Sequence, residues 1–207
     1  MGDSTTAHPL DAALDYFVAR YQATFPELHE PFDPQWRSPC ELGEPYTVHD
    51  GASLVRWQPL RRSGLESPDA SGDFAALERA LEFEIHPDVK RYYARYWSGG
   101  LEATASDGHV SLLFLWNPAD AERLVENLIG HALAKRQAGA GFSVFFACTE
   151  ADSELFLSID NDSGAVLLEK PGYKPIRTVA DSLASFIATL EPASPALHPA
   201  RLGRVDF

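Results

Sequence analysis

Residues 117–139 constrain the fold more than any other segment, because a helix signal stands at each position where a helix needs one. Asn117 can accept from the free N–H groups of a first turn, and Pro118 takes the first helical position, where its missing N–H is not needed. Lys135 and Arg136 suit the negative end of the helix dipole, and Gly139 stops the chain. On both sides the pattern changes to short apolar runs. Residues 101–105 and 110–116 precede the helix and are joined by a turn at Asp107-Gly108. Residues 142–148, 154–160 and 165–169 follow it, the last two joined at Asp162-Ser163-Gly164. A helix set between such hairpins predicts an α+β fold.

The N-terminal half supplies more helices. Leu10, Leu14, Phe17, Tyr21, Phe25 and Leu28 recur at spacings of three and four and predict an amphipathic helix over 9–28, stopped by Pro31 and Pro34. Residues 32–46 read as an irregular loop, 53–57 as a strand, and 61–72 as an exposed, mobile loop. Phe74, Leu77, Leu81 and Ile85 form the stripe of a second helix ending before Pro87. A third, 88–97, carries Tyr92, Tyr93, Tyr96 and Trp97, and a last helix spans 179–190. The sum is one largely antiparallel or mixed sheet of about five or six strands packed with about five helices. We expect a single domain over 1–192 and a poorly ordered tail over 193–207.

Charge narrows the partners. With 17 Lys+Arg against 30 Asp+Glu the formal net charge is −13. Nucleic acid and anionic bilayers both draw their affinity from clustered Lys and Arg, so neither is expected as a partner, and direct lipid insertion is not expected either. A basic protein surface fits, although an acidic balance also serves plain solubility. No apolar run is long enough to span a bilayer. The start has neither a basic nor an apolar signal region, so the two cysteines, Cys40 and Cys148, are expected to stay reduced in the cytoplasm.

Catalytic arrangements are scarce. The chain has no phosphate loop, no GxSxG and no HExxH, and its seven histidines lack metal-ligand spacing, so no metal or cofactor is expected. His131 stands one turn above Asn127, at the border of the stripe formed by Ala121, Leu124, Val125, Leu128, Ile129 and Ala132. Either each of the two satisfies a backbone group of a neighbouring loop, or the pair is a polar contact for a partner. Gly130 in mid-helix costs about 1 kcal/mol against alanine, which predicts that another backbone packs close there.

The acids are more informative. Between Arg136 and Lys170 there is no Lys or Arg, while Glu150, Asp152, Glu154, Asp160, Asp162 and Glu169 all fall in that span. Left uncompensated, they predict a negative field around two turns, unless they are only the solvated residues that turns favour. Glu78 and Glu82 form a like-charged i,i+4 pair, destabilising by about 0.2–0.5 kcal/mol. A cationic ligand would relieve it, and Arg79 offsets part of it. A glycosidase-like reading of the two carboxylates finds no sugar-binding features beside it.

Several ordered motifs then point to a family. They are Ser38-Pro39-Cys40, Trp57-Gln58-Pro59, Leu77-Glu78-Arg79-Ala80, Ile85 with Pro87, Ser163-Gly164 and, above all, Val125-Glu126-Asn127-Leu128-Ile129-Gly130-His131. Over roughly residues 10–192 the chain resembles the Syd family of SecY-interacting proteins of Gram-negative bacteria. The resemblance implies a SUKH-related α+β domain that is not an enzyme. It implies a monomer held peripherally on the cytoplasmic side of the inner membrane by SecY, where it monitors or negatively regulates the SecYEG translocase. An acidic concave surface facing basic cytosolic loops of SecY is the implied mode of binding. The residues assigned to it are Glu78, Glu82, Glu126, Asn127, His131, Glu150, Asp152, Glu154, Asp160 and Asp162. The toxin-immunity proteins of the same superfamily supply the alternative, a SUKH-type module that neutralises a toxin. In one departure, Ser98-Gly99-Gly100 stands where the family pattern carries Ser-Gly-Asp.

Overall fold

The structure is a computed structural model that describes residues 7–49, 51–62, 72–150 and 153–195. Helix α1 (Pro9–Thr24) ends earlier than the apolar spacing predicts. Phe25 precedes Pro26, whose ring disfavours helical geometry in the residue before it, and Phe25 accordingly turns to φ −127°, ψ 78°. Leu28 therefore opens strand β1 (Leu28–Pro31) instead of closing the helix. Within the stretch read as loop, β2 (Glu41–Thr47) pairs with β3 (Ser53–Trp57), which also pairs with β1. β2 tolerates Pro45 because it is an edge strand and its register shifts between Leu42 and Tyr46. β4 (Leu60–Arg61) begins the next segment, and most of the loop predicted over 61–72, residues 63–71, lies outside the described residues.

Helix α2 (Gly72–Leu81) stops at Glu82, whose φ of 61° is left-handed, so Ile85 is buried from a loop and not from the helix stripe. α3 (Pro87–Arg95) is likewise shorter than predicted, since Tyr96 and Trp97 leave it to form β5 (Tyr96–Trp97) against β4. Tyr92 and Tyr93 are core residues. The Tyr92 ring stacks on Phe114 with centroids 5.0 Å apart, and its hydroxyl donates to the Phe146 carbonyl at 3.3 Å. α3 is tied to α1 by charge as well, Arg91 reaching Asp11 at 3.1 Å and Arg95 Nε reaching Asp15 at 2.9 Å.

The main sheet begins with β6 (Leu101–Ala105) and β7 (Gly108–Leu112). The run predicted to reach residue 116 stops as a strand at Leu112, and Leu115 makes only an isolated bridge to Trp97. α4 (Pro118–Gln137) starts as its signals predict, the Asn117 side chain accepting from the Asp120 amide at 3.0 Å. β8 (Ser143–Cys148), β9 (Phe156–Asp160), β10 (Val166–Glu169) and β11 (Arg177–Ala180) then form a meander. α5 (Leu183–Ala188) returns the chain to β12 (Glu191–Pro192), which pairs with β6.

The order is β11-β10-β9-β8-β7-β6-β12, with every neighbour antiparallel. Among the described residues the five helices and the antiparallel sheet agree with the α+β expectation, but the main sheet has seven strands. Both extra strands lie at or beside the ends of the segment read as one helix over 179–190. Ser182 caps α5 by accepting from the Ser185 amide, so Val179 and Ala180 are left in extended backbone.

Successive side chains of a strand point to opposite faces. His131 and Lys135 of α4 meet Phe156 and Glu169 on one face, while Phe186 of α5 shares a pocket with Leu157 and Leu168 on the other. A continuous apolar cluster joins the layers from Leu10 in α1 to Leu190 after α5. Cys40 is buried and Cys148 exposed, and neither is in a disulfide. Of the tail expected over 193–207, residues from 196 onward lie outside the described residues. No helix among the described residues is long and apolar enough to cross a membrane.

Candidate functional site

Strand β9 separates the acids that looked like one field. Its five residues, at about 3.3 Å each, put residues 153–155 and the 160–164 turn roughly 16 Å apart at opposite ends. At the second end Asp160 is committed to its own turn, accepting from the Ser163 amide at 3.1 Å and from the Ser163 hydroxyl. Asp162 is exposed. Together with Glu84, Asn161, Phe83 and Phe142 it lines a notch of about 490 Å³.

The walls of this notch are fixed by hydrogen bonds. Asn161 Oδ1 accepts from the His86 amide at 2.9 Å, and Asn161 Nδ2 donates to the Glu84 carbonyl at 2.9 Å. Gly164 lets the turn approach so closely because it lacks a side chain: its φ is +75°, and an added Cβ would lie 2.6 Å from the His86 ring. The floor is aromatic, with Phe83 and Phe142 centroids 5.2 Å apart. Among the described residues neither Glu84 nor Asp162 has a salt-bridge partner. Carboxylates beside accessible aromatic faces are the environment that attracts an ammonium or guanidinium group.

Glu78 and Glu82 do not form the helix-face pair read from their spacing. Glu82 lies past the end of α2, where its left-handed backbone and its amide, bonded to the Glu78 carbonyl at 2.9 Å, terminate the helix. Glu78 turns inward, meeting Lys90 Nζ at 2.5 Å and accepting from the Ile85 amide at 2.9 Å. Burial pushes its pKa up, but Lys90 and the Ile85 amide outweigh that and hold the carboxyl below the usual carboxylate range. Its negative charge is already used inside the fold.

On α4, Glu126 and Asn127 are exposed, while His131 is half-buried. The imidazole packs against Phe142, Phe145 and Phe156, and its Nε2 lies 3.4 Å from the Ser143 hydroxyl. Burial lowers its pKa; Glu169 draws it back up and Lys135 lowers it again. His131 thus has a partner within the fold, whereas among the described residues Asn127 makes no side-chain hydrogen bond. The backbone expected to crowd Gly130 is not there: nothing among the described residues lies within 4 Å of an added Cβ. The helix carries that cost of about 1 kcal/mol with no close packing in return.

At the other end of β9, Glu154 pairs with Lys170 at 2.6 Å, and Glu150 accepts from the His109 amide at 3.1 Å. Asp152 lies outside the described residues. Glu169, counted among the uncompensated acids, is fully buried and bound to Lys135 Nζ at 2.7 Å, with Ser158 Oγ donating to its other oxygen at 2.8 Å. The sequence held one sign of this, because Glu169 shares a strand face with Leu167. The span without cations is therefore neutralised in part from its two borders, by Lys135 and Lys170. Sequence reasoning missed Phe83, Phe142 and Asn161 as parts of the notch, since only the fold brings 83–86 onto 161–164. No group of three or more His, Cys, Asp or Glu side chains among the described residues could hold a metal ion.

These features define an α+β domain, helices on both faces of an antiparallel sheet, with an acidic, aromatic-floored notch on its surface. The chain belongs to the Syd family: the family model described as Syd protein (SUKH-2) matches residues 9–192. Among curated relatives called Protein Syd, that of Hahella chejuensis is 43% identical over 197 residues, covering 93% of this chain and 96% of the relative. The Colwellia psychrerythraea protein is 42% identical over 161 residues, covering 76% and 78% respectively. That of Pseudoalteromonas atlantica is 35% identical over 189 residues, covering 89% and 97%.

Proposed function

We propose that this chain is a non-catalytic, monomeric SecY-binding protein, held at the cytoplasmic face of the inner membrane by SecY, where it monitors or restrains the translocase. The observation that carries this reading is the notch, which Glu84 and Asp162 line together with Phe83 and Phe142, and where neither acid has a salt-bridge partner among the described residues. Cytosolic loops of membrane proteins are enriched in Lys and Arg, and such a side chain fits between these groups. The net charge of −13 favours approach of a basic surface and disfavours nucleic acid and anionic lipid. Glu82 borders the notch in sequence, and Glu126 and Asn127 add exposed polar groups on α4. Glu150 and Glu154 belong to a separate end of the sheet and serve as a second point of attraction, while Asp152 lies outside the described residues.

Capture of SecY from detergent extract tests the reading. Binding is expected to be strong at about 0.05 M salt and to fade toward about 0.5 M, as screening shortens the reach of each charge. Glu84→Lys with Asp162→Lys should abolish it. Capture that is indifferent to both salt and charge reversal contradicts the reading. Glu78→Lys is a poor probe, because it sets a second cation against Lys90 inside the fold.

A further inference from the structure

Helix α4 presents an outer face, Glu122, Glu126, Asn127, Gly130 and Leu133, that no other element of the described chain covers. Gly130 is the anomaly in it. A mid-helix glycine weakens a helix, and it is usually kept where a second backbone must come close. Here nothing lies within 4 Å of the position a Cβ would take. The space is open, and the neighbouring side chains supply what a polypeptide backbone and its charges need. One turn earlier Asn127 offers a carboxamide that both donates and accepts and has no partner among the described residues. Glu122 and Glu126 are exposed acids, while Arg123 of the same helix is drawn away onto the Trp36 ring, 3.8 Å from its centroid. Beyond Gly130, Leu133 is 52% exposed.

We propose that this face of α4 receives an extended, Lys/Arg-bearing segment of a protein partner, whose backbone lies directly on Gly130. The Asn127 carboxamide pairs with a peptide group of that segment, and Glu122 and Glu126 hold its cations. Among occupants of the face, a basic polypeptide is favoured by charge complementarity: among the described residues the two acids have no salt-bridge partner, and Arg123 between them is engaged on Trp36. The inference rests on the SecY-binding reading and adds to it a place where the partner's main chain sits.

The experiment uses the full chain and detergent-solubilised SecY complex, with Gly130→Ala, Gly130→Leu and, as a control, Gly141→Ala, another glycine with open space around it. Alanine and leucine are better helix formers than glycine, so both Gly130 variants should melt about 2–4 °C higher than the native chain. Gly130→Leu should nevertheless bind SecY at least about tenfold more weakly, Gly130→Ala less severely so, and Gly141→Ala as the native chain does. A Gly130→Leu variant that melts higher and binds unchanged overturns this inference alone. A native chain that captures no SecY overturns the reading beneath it, and this inference with it.

Discussion

Lys135→Met isolates the most buried ion pair among the described residues. The Lys135 and Glu169 side chains are 3% and 0% exposed, and their ion pair pins the C-terminal half of α4 to β10. Removing the lysine leaves a carboxylate in the interior with Ser158 as its only hydrogen-bonding group among the described residues. Breaking one side of such a pair costs about 3–5 kcal/mol. For a chain of this length that lowers the melting temperature by about 6–20 °C. Replacing both partners by apolar residues, Lys135→Met with Glu169→Leu, removes the stranded charge and typically gains about 1–4 kcal/mol relative to the pair. It also leaves the Ser158 hydroxyl without its acceptor, at about 1–3 kcal/mol, so the double variant should lie near the native stability. Urea unfolding followed by circular dichroism and tryptophan fluorescence measures all three. The reasoning is refuted if Lys135→Met loses less than about 1 kcal/mol, or if the double variant is less stable than the single.

Three further outcomes are expected. Because burial holds the His131 pKa below 6.5, the unfolded chain binds that proton more readily. The contribution of neutral His131 is thus complete above pH 6.5 and declines as pH falls toward the folded-state value, so His131→Phe should flatten the fall of the urea midpoint between about pH 7 and about pH 5; an unchanged slope contradicts this. Glu82→Gly releases a left-handed non-glycine backbone and should stabilise by about 1 kcal/mol in thermal melts, while weakening SecY capture at low salt. Gly164→Ala combines a φ of +75° with a Cβ 2.6 Å from the His86 ring, and should lose about 1–3 kcal/mol and loosen the notch. A melt within error of the native chain is the contrary result.

Local physics makes α4 legible from its residues alone, because caps, first-turn proline and terminal glycine act within a few residues of one another. The same locality places Ser53–Trp57 and the strands on either side of α4 to within a few residues. Boundaries fail where two signals compete. Leu28 and Ile85 keep the helical spacing, but Pro26 and the left-handed Glu82 have already ended their helices. Residues 179–190 carry an apolar pattern that serves a strand end, a short helix and a strand start equally well. The candidate surface is legible in the sequence as charge and composition only. That Glu78 and Glu169 are spent on Lys90 and Lys135, while Asp162 is brought beside Glu84, depends on contacts between distant segments, which spacing along the chain does not encode.

The most direct measurement is the affinity of purified SecY complex in detergent for the native chain and for a Glu82→Lys, Glu84→Lys, Asp162→Lys variant, each first shown to melt as a folded protein. The account predicts binding by the native chain that weakens steeply as salt is raised, and little or no binding by the variant at any salt. A folded variant that binds SecY with the native affinity and the native salt dependence contradicts it.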